Sequence, residues 1–169
     1  MKGRYYFLHG VRCFLIGLAV LVTPISTAMA QASAEKSEAA RTQFANLLDS
    51  YQEMLAKNDV DGILGLYSST PVFMPEYAPP AVGREAVRKT YEWVFATLKL
   101  NGQFNVHEAE VVGDTAWVRT TSAGHFTVVA NGAQGDIANS ELFVFKRENG
   151  GWKIHRYIFT SSAPPPQAQ

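Results

Sequence analysis

Cysteine and histidine are scarce in this 169-residue chain, which has one Cys and four His. That supply offers no disulfide framework and no zinc cluster of the usual Cys/His spacing. Excess charge of either sign is missing as well. Lys+Arg and Asp+Glu number 15 each, so no basic surplus stands ready to neutralise nucleic-acid phosphates. Gly-rich phosphate loops, the G-x-S-x-G nucleophile elbow and paired metal-binding histidines are absent too. The chain is nevertheless 47% hydrophobic and only 18% charged, enough apolar material for the core of one domain.

The absence of acidic residues before Glu35 is local and informative. Lys2, Arg4 and Arg12 make the start basic, and an apolar run follows from Cys13 to Val22, broken only by Gly17. Small residues then close the segment, with Ala28-Met29-Ala30 and Ala30-Gln31-Ala32 as exit motifs. Residues 1–30 therefore read as a secretory signal cleaved after Ala30 or Ala32. The apolar run is short for a membrane-spanning helix, which needs about 20 residues. Cleavage would remove the only thiol, Cys13, and leave 12 basic against 15 acidic residues, about −3. The expected product is a periplasmic or secreted domain of 137 or 139 residues that no longer touches a membrane.

Residues Ser33 to Asn58 carry Phe44, Leu47, Leu48, Tyr51 and Leu55 on one helical face. Asp59 is placed to cap a second, short helix ending at Leu66 or Tyr67. Val72-Phe73-Met74 reads as a strand, 75–80 as a Pro-rich loop, and Gly83 to Leu98 as a third helix. Four long β-type runs follow: Gln103–Val112, Thr115–Ala130, Gly135–Glu148 and Trp152–Thr160. Gly113-Asp114, Asn131-Gly132 and Asn149-Gly150-Gly151 separate them, which predicts antiparallel neighbours. Helices first and a meander afterwards predict an α+β fold over 33–162. A Pro- and Gln-rich tail, 163–169, is expected to be disordered.

Four segments carry a family resemblance. They are Asn58-Asp59-Val60-Asp61-Gly62-Ile63-Leu64-Gly65-Leu66-Tyr67, Pro79-Pro80-Ala81-Val82-Gly83-Arg84-Glu85-Ala86-Val87, Gly113-Asp114-Thr115-Ala116-Trp117-Val118 and Gly150-Gly151-Trp152-Lys153-Ile154. In this order they resemble the SnoaL-like (DUF4440) branch of the NTF2-like superfamily, which shares its fold with ketosteroid isomerase and polyketide cyclases. The resemblance implies a cone-shaped barrel, three N-terminal helices packed on a curved, mostly antiparallel sheet, an apolar pocket and a homodimer. It does not fix a function, because the fold hosts enzymes and non-catalytic modules alike.

In isomerases of the superfamily a Tyr on the first helix donates to a developing oxyanion, and Tyr51 occupies the matching place. On periodicity alone Tyr51 is equally a core residue. The resemblance puts the catalytic base just after Tyr67–Met74, yet this chain reads Phe73-Met74-Pro75, with Glu76 the nearest carboxylate. Glu141 lies on a strand face with Phe143 and Phe145, near where the resemblance places a neutral acid; a salt bridge with Arg119 or Arg156 is the competing reading. His107, His125 and His155 fall on separate strands without metal-ligand pairing. Alternation groups His125 with Trp117, Arg119 and Thr121, a face from which it is within reach of a pocket. Tyr51, Glu141 and His125 are thus the acid–base candidates. Tyr67, Phe73, Tyr77, Tyr91 and Phe95, with Arg119, are the ligand-binding candidates, and Trp93 sits among them. Tyr157 and Phe159 are expected on the dimer face.

Three functions stay open: an apolar-ligand binder, an acid–base enzyme of isomerase or cyclase type, and a dimerisation module. None of them calls for a metal or an organic cofactor.

Overall fold

The computed structural model describes residues 25–162. The element order is α1 (Ile25–Lys57), α2 (Val60–Leu66), β1 (Tyr67–Met74), β2 (Ala81–Val82), α3 (Arg84–Thr97), β3 (Leu98–Val112), β4 (Thr115–Val128), β5 (Gln134–Glu148) and β6 (Gly151–Ser161). The basic start and apolar run read as a signal, and the tail at 163–169, lie outside the described residues. α1 begins upstream of the expected Ser33, and residues 28–39 are all exposed. Helix propensity alone, in an Ala-, Glu- and Lys-rich stretch, accounts for that extension.

From Ala40 onward α1 earns its place by packing. Phe44, Leu48 and Tyr51 are buried at helical spacing, with Leu47 and Leu55 against the same core. The helix ends in a Schellman motif. Asn58 takes a left-handed φ of 55°, the Asn58 N–H bonds Leu55 O and the Asp59 N–H bonds Met54 O. Asp59 immediately caps α2, its carboxylate accepting from the Gly62 N–H at 2.8 Å.

The six strands form one unclosed, curved sheet in the order β2-β1-β6-β5-β4-β3. β3 to β6 are antiparallel neighbours, as the turn sequences predict, while β1 runs parallel to β6. Asn149 and Gly150 both have positive φ, which the hairpin between β5 and β6 requires. β2 was not expected; two residues long, it covers β1 at the sheet edge. β1 also starts earlier than expected, at Tyr67, because Ser68 is buried against β6 rather than looping outward. At the opposite end of the sheet Gly102 pairs with Gly124, and a Cβ on Gly124 would lie 2.2 Å from the Asn101 carbonyl oxygen. That close approach lets β3 and β4 curl around the interior.

Alternation decides what faces the helices. Ala116, Val118, Thr120 and Ser122 of β4, Glu141, Phe143 and Phe145 of β5, and Trp152, Ile154 and Tyr157 of β6 are all buried. Tyr157 and Phe159 therefore point into the core. The opposite face of the sheet presents Leu142 and Ile158 instead, each more than 40% exposed and directly paired across β5 and β6. A β-bulge at His155 shifts the parity of β6 and accounts for the difference.

Gly62 makes a specific stability prediction. Gly→Ala in a helix ordinarily gains about 1 kcal/mol. Here an added Cβ would lie 2.3 Å from the Asp59 carboxylate oxygen and displace the cap. Urea unfolding of Gly62→Ala should show no gain, and a loss of up to ~1 kcal/mol. In an Asp59→Ala background the same change should stabilise. A gain in the wild-type background would refute the steric account of the cap.

Candidate functional site

The concave face of the sheet, α1, α3 and the 75–80 loop enclose a cavity of about 820 Å³. α1 contributes Tyr51, Gln52 and Leu55; β1 contributes Phe73; α3 contributes Thr90, Tyr91, Trp93 and Val94. Leu98, Leu100 and Phe104 of β3, Ser122 and Phe126 of β4, Ile137 and Asn139 of β5, and Tyr157 and Phe159 of β6 complete the wall. Exposed Tyr77 and Trp93 stand at the mouth. A second, shallow groove along α1 at Glu35, Glu38 and Thr42 has no aromatic lining and opens widely to solvent. The enclosed aromatic cavity is the better site for a small molecule.

Rings are arranged in parallel on one side of this cavity. Phe73 lies 5.4 Å from Tyr91 with 7° between their planes, and 5.0 Å from Tyr157 at 6°. Tyr157 in turn stacks on Phe143 at 4.1 Å. Such a wall offers flat apolar surface on which a planar molecule can stack.

Three phenols form a chain across the interior. Tyr91 Oη lies 2.5 Å from Tyr51 Oη and 2.8 Å from Tyr67 Oη. Burial raises the pKa of all three, and of Tyr157 likewise, so each stays protonated at neutral pH. Glu141 is the buried carboxylate of the site. It accepts from the Thr120 hydroxyl and from Ser122 Oγ, the latter at 2.5 Å, while Asn139 Nδ2 donates to Ser122 Oγ at 3.1 Å. Burial pushes its carboxyl up, and the two hydroxyl donors offset part of that rise. The competing reading, an ion pair with Arg119 or Arg156, does not occur. Arg119 bonds Glu108 at 2.7 Å and Arg156 bonds the Thr70 carbonyl.

The structure gathers Tyr51, Phe73, Tyr77 and Tyr91 on the cavity wall and sets Glu141 behind Ser122. Tyr67 and Phe95 sit one layer back, each packed on Tyr91. Two expectations are corrected. His125 is exposed and pairs with Asp136 at 2.9 Å, and Arg119 is exposed on the convex face. Both belong to the strand parity that faces away, because Ala116, Val118, Thr120 and Ser122 take the inner positions of β4. Thr120, Ser122 and Asn139 were missed. Their signal was an inner parity opened by the small apolar pair Ala116 and Val118, with the charged Arg119 on the other side. Glu76 lines the cavity at its rim, but its carboxylate is engaged, taking the Ser161 N–H at 2.8 Å and the Thr160 hydroxyl and pinning the 75–80 loop to β6. Neither Met74 nor Pro75 supplies a proton acceptor. Among the described residues no three His, Cys, Asp or Glu side chains gather to hold a metal.

With this geometry in hand, comparison with known proteins is specific. A family model described as the SnoaL-like domain matches residues 48–156. The chain belongs to the SnoaL-like family. A ketosteroid isomerase-like protein from Erwinia carotovora atroseptica SCRI1043 is 26% identical, with a TM-score of 0.65, over 69% of this chain and 92% of that one. A protein described as a candidate dehydratase of the NTF2-like family from Streptomyces avermitilis is 19% identical at the same TM-score, over 75% of this chain and 99% of that one. A candidate aromatic ring hydroxylase from Novosphingobium aromaticivorans DSM is 23% identical, TM-score 0.65, over 74% and 90%. The latter two establish the fold alone. No curated protein matches. The SnoaL-like domain thus has the NTF2-like fold, three helices on a curved and mostly antiparallel sheet.

The buried phenols set a pH dependence. A phenol in the unfolded chain ionises near pH ~10. Above that pH the unfolded state has lost protons that the native state retains, so stability falls as pH rises. Among the described tyrosines, phenolate absorbance should show Tyr77 titrating before Tyr51, Tyr67, Tyr91 and Tyr157, which ionise only with unfolding. Early ionisation of these four in a chain that remains folded by circular dichroism would contradict the burial described.

Proposed function

We propose that this SnoaL-like domain is an exported receptor that holds a small, largely apolar molecule with flat rings. The observation that carries the reading is an aromatic cavity of about 820 Å³ without a carboxylate where the resemblance puts the isomerase base. Burying on the order of 300 Å² of apolar ligand surface is worth about 7 kcal/mol before the cost of lost motion. The basic, apolar and small-residue segments of the first thirty residues support export.

An acid–base enzyme is the second reading, favoured by one observation: Glu141 is a buried carboxylate with a raised pKa, close enough to raise that of Tyr51 as well. In that case Tyr51, with Glu141 in its protonated form, would stabilise a developing oxyanion, and the base would have to come from elsewhere. Native mass spectrometry of protein purified from its source should show a retained small molecule, released by denaturation. Thr90→Trp, which fills the cavity, should abolish retention. Repeated recovery of empty protein, or retention unaffected by Thr90→Trp, would defeat the receptor reading. Turnover of the released molecule on re-addition would favour the enzyme.

A second copy of the chain is the proposed partner. The convex face presents the paired Leu142 and Ile158 beside the half-buried pair Trp117 and Val144, an apolar patch flanked by Arg119 and Arg156 in the same rows. A two-fold arrangement would bury the patch against itself. Sedimentation should give a dimer for the wild type and a monomer for Leu142→Glu with unchanged circular dichroism. A wild-type monomer at high concentration would eliminate this interface.

A further inference from the structure

Hydrogen bonds on the cavity wall have directions, and at one place the chemistry fixes them. Thr120 and Ser122 both donate to Glu141. A serine hydroxyl has a single proton, so Ser122 can only accept from any other neighbour. Asn139, directly paired with Ser122 across β4 and β5, must therefore turn its Nδ2 toward Ser122 Oγ, 3.1 Å away. The orientation of the amide follows from proton count. Asn139 Oδ1 is then an acceptor with no partner among the described residues, and Ser122 keeps a second lone pair. Both residues line the cavity. The charged group nearest along β5 that also reaches the wall is Asp136, another acceptor. The β4–β5 corner of the wall is thus rich in acceptors and set in an aromatic surround, while Lys89 lines the cavity from α3.

We propose that Ser122 and Asn139 form a specificity subsite for a hydroxyl or N–H donor on the ligand, with Glu141 behind them as the positioning residue. The ligand class is then a flat apolar molecule bearing a hydroxyl, such as a phenol, in preference to its ether. The inference rests on the cavity being a ligand site. Glu141 does not touch the ligand. It acts by taking the Ser122 proton, which turns the serine into an acceptor and sets the Asn139 amide. A phenol places its proton on Asn139 Oδ1, whereas a methyl ether brings no proton and leaves that oxygen desolvated and unpaired, which is the stronger discrimination.

Three probes of one ring system test this on the full-length protein: pyrene, hydroxypyrene and methoxypyrene, titrated by fluorescence. Hydroxypyrene should bind at least about tenfold more tightly than methoxypyrene, the ratio expected for one buried hydrogen bond. Asn139→Leu and Ser122→Ala should bring the two into near equality. Glu141→Gln leaves one acceptor oxygen for two hydroxyls, and with its N–H turned to Ser122 the serine proton is freed, so the hydroxy-to-methoxy ratio should fall. A purely structural role for Glu141 would lower binding of all three together. Should Glu141→Gln fail to fold, Asn139→Leu alone decides. Equal affinity of the wild type for the hydroxy and methoxy probes, or a ratio insensitive to Asn139→Leu, overturns the subsite and leaves the receptor reading standing. Failure of all three probes to bind overturns the receptor reading, and the subsite with it.

Discussion

One hydroxyl joins three parts of this fold. Tyr91, on α3, bonds both Tyr51 of α1 and Tyr67 at the junction of α2 and β1. An unpaired buried hydroxyl costs on the order of 1–3 kcal/mol, so the three phenols can be inside only as a set. Their rings are already committed by packing: Tyr91 to Phe73 and Phe95, Tyr51 to Phe104, Phe143 and Tyr157. Apolar burial brings the rings together, and hydrogen bonding specifies where their ends meet. The helices consequently have one seating on the sheet, and the cavity beside that seating has a fixed shape.

Helix positions and turns were legible because local chemistry decides them. Asn58-Asp59 reads as the end of one helix and the cap of the next, and both roles are present in the backbone angles and bonds. Asn149-Gly150 likewise carries the two positive φ values of its turn. Strand facing was harder. In β4 the outer positions hold Trp117 and the inner ones Thr120 and Ser122, so large-apolar-inside reasoning chooses the wrong parity and draws His125 and Arg119 into the site. In β6 the bulge at His155 reverses the parity partway along the strand, and no residue type announces it. The parallel pairing of β1 with β6 joins residues about 85 positions apart, beyond the reach of any local signal.

The interior carries two polar clusters of opposite character. The phenol chain is neutral, and burial keeps it so. The cluster around Glu141 is a carboxylate satisfied by two hydroxyls that themselves come from the inner face of β4. Their placement explains why polar residues occupy inner positions of a core strand. Thr120 and Ser122 are the cost of keeping Glu141 inside without a cation. An arginine at either position would neutralise the carboxylate, and would also fill space that the cavity now occupies.

That arrangement bears on function more directly than the fold does. A site that must abstract a proton needs an acceptor facing the substrate, and here the loop after β1 offers Met74 and Pro75 while Glu76 is tied to the end of β6. Among the described residues Glu141 is the buried carboxylate, and it has both oxygens engaged and stands behind a serine. Its accessible consequence is the orientation of Ser122 and Asn139, which is a recognition property. On the proposed reading the polar groups of this cavity select a ligand by where its protons lie, and the aromatic wall holds the rest of it by area.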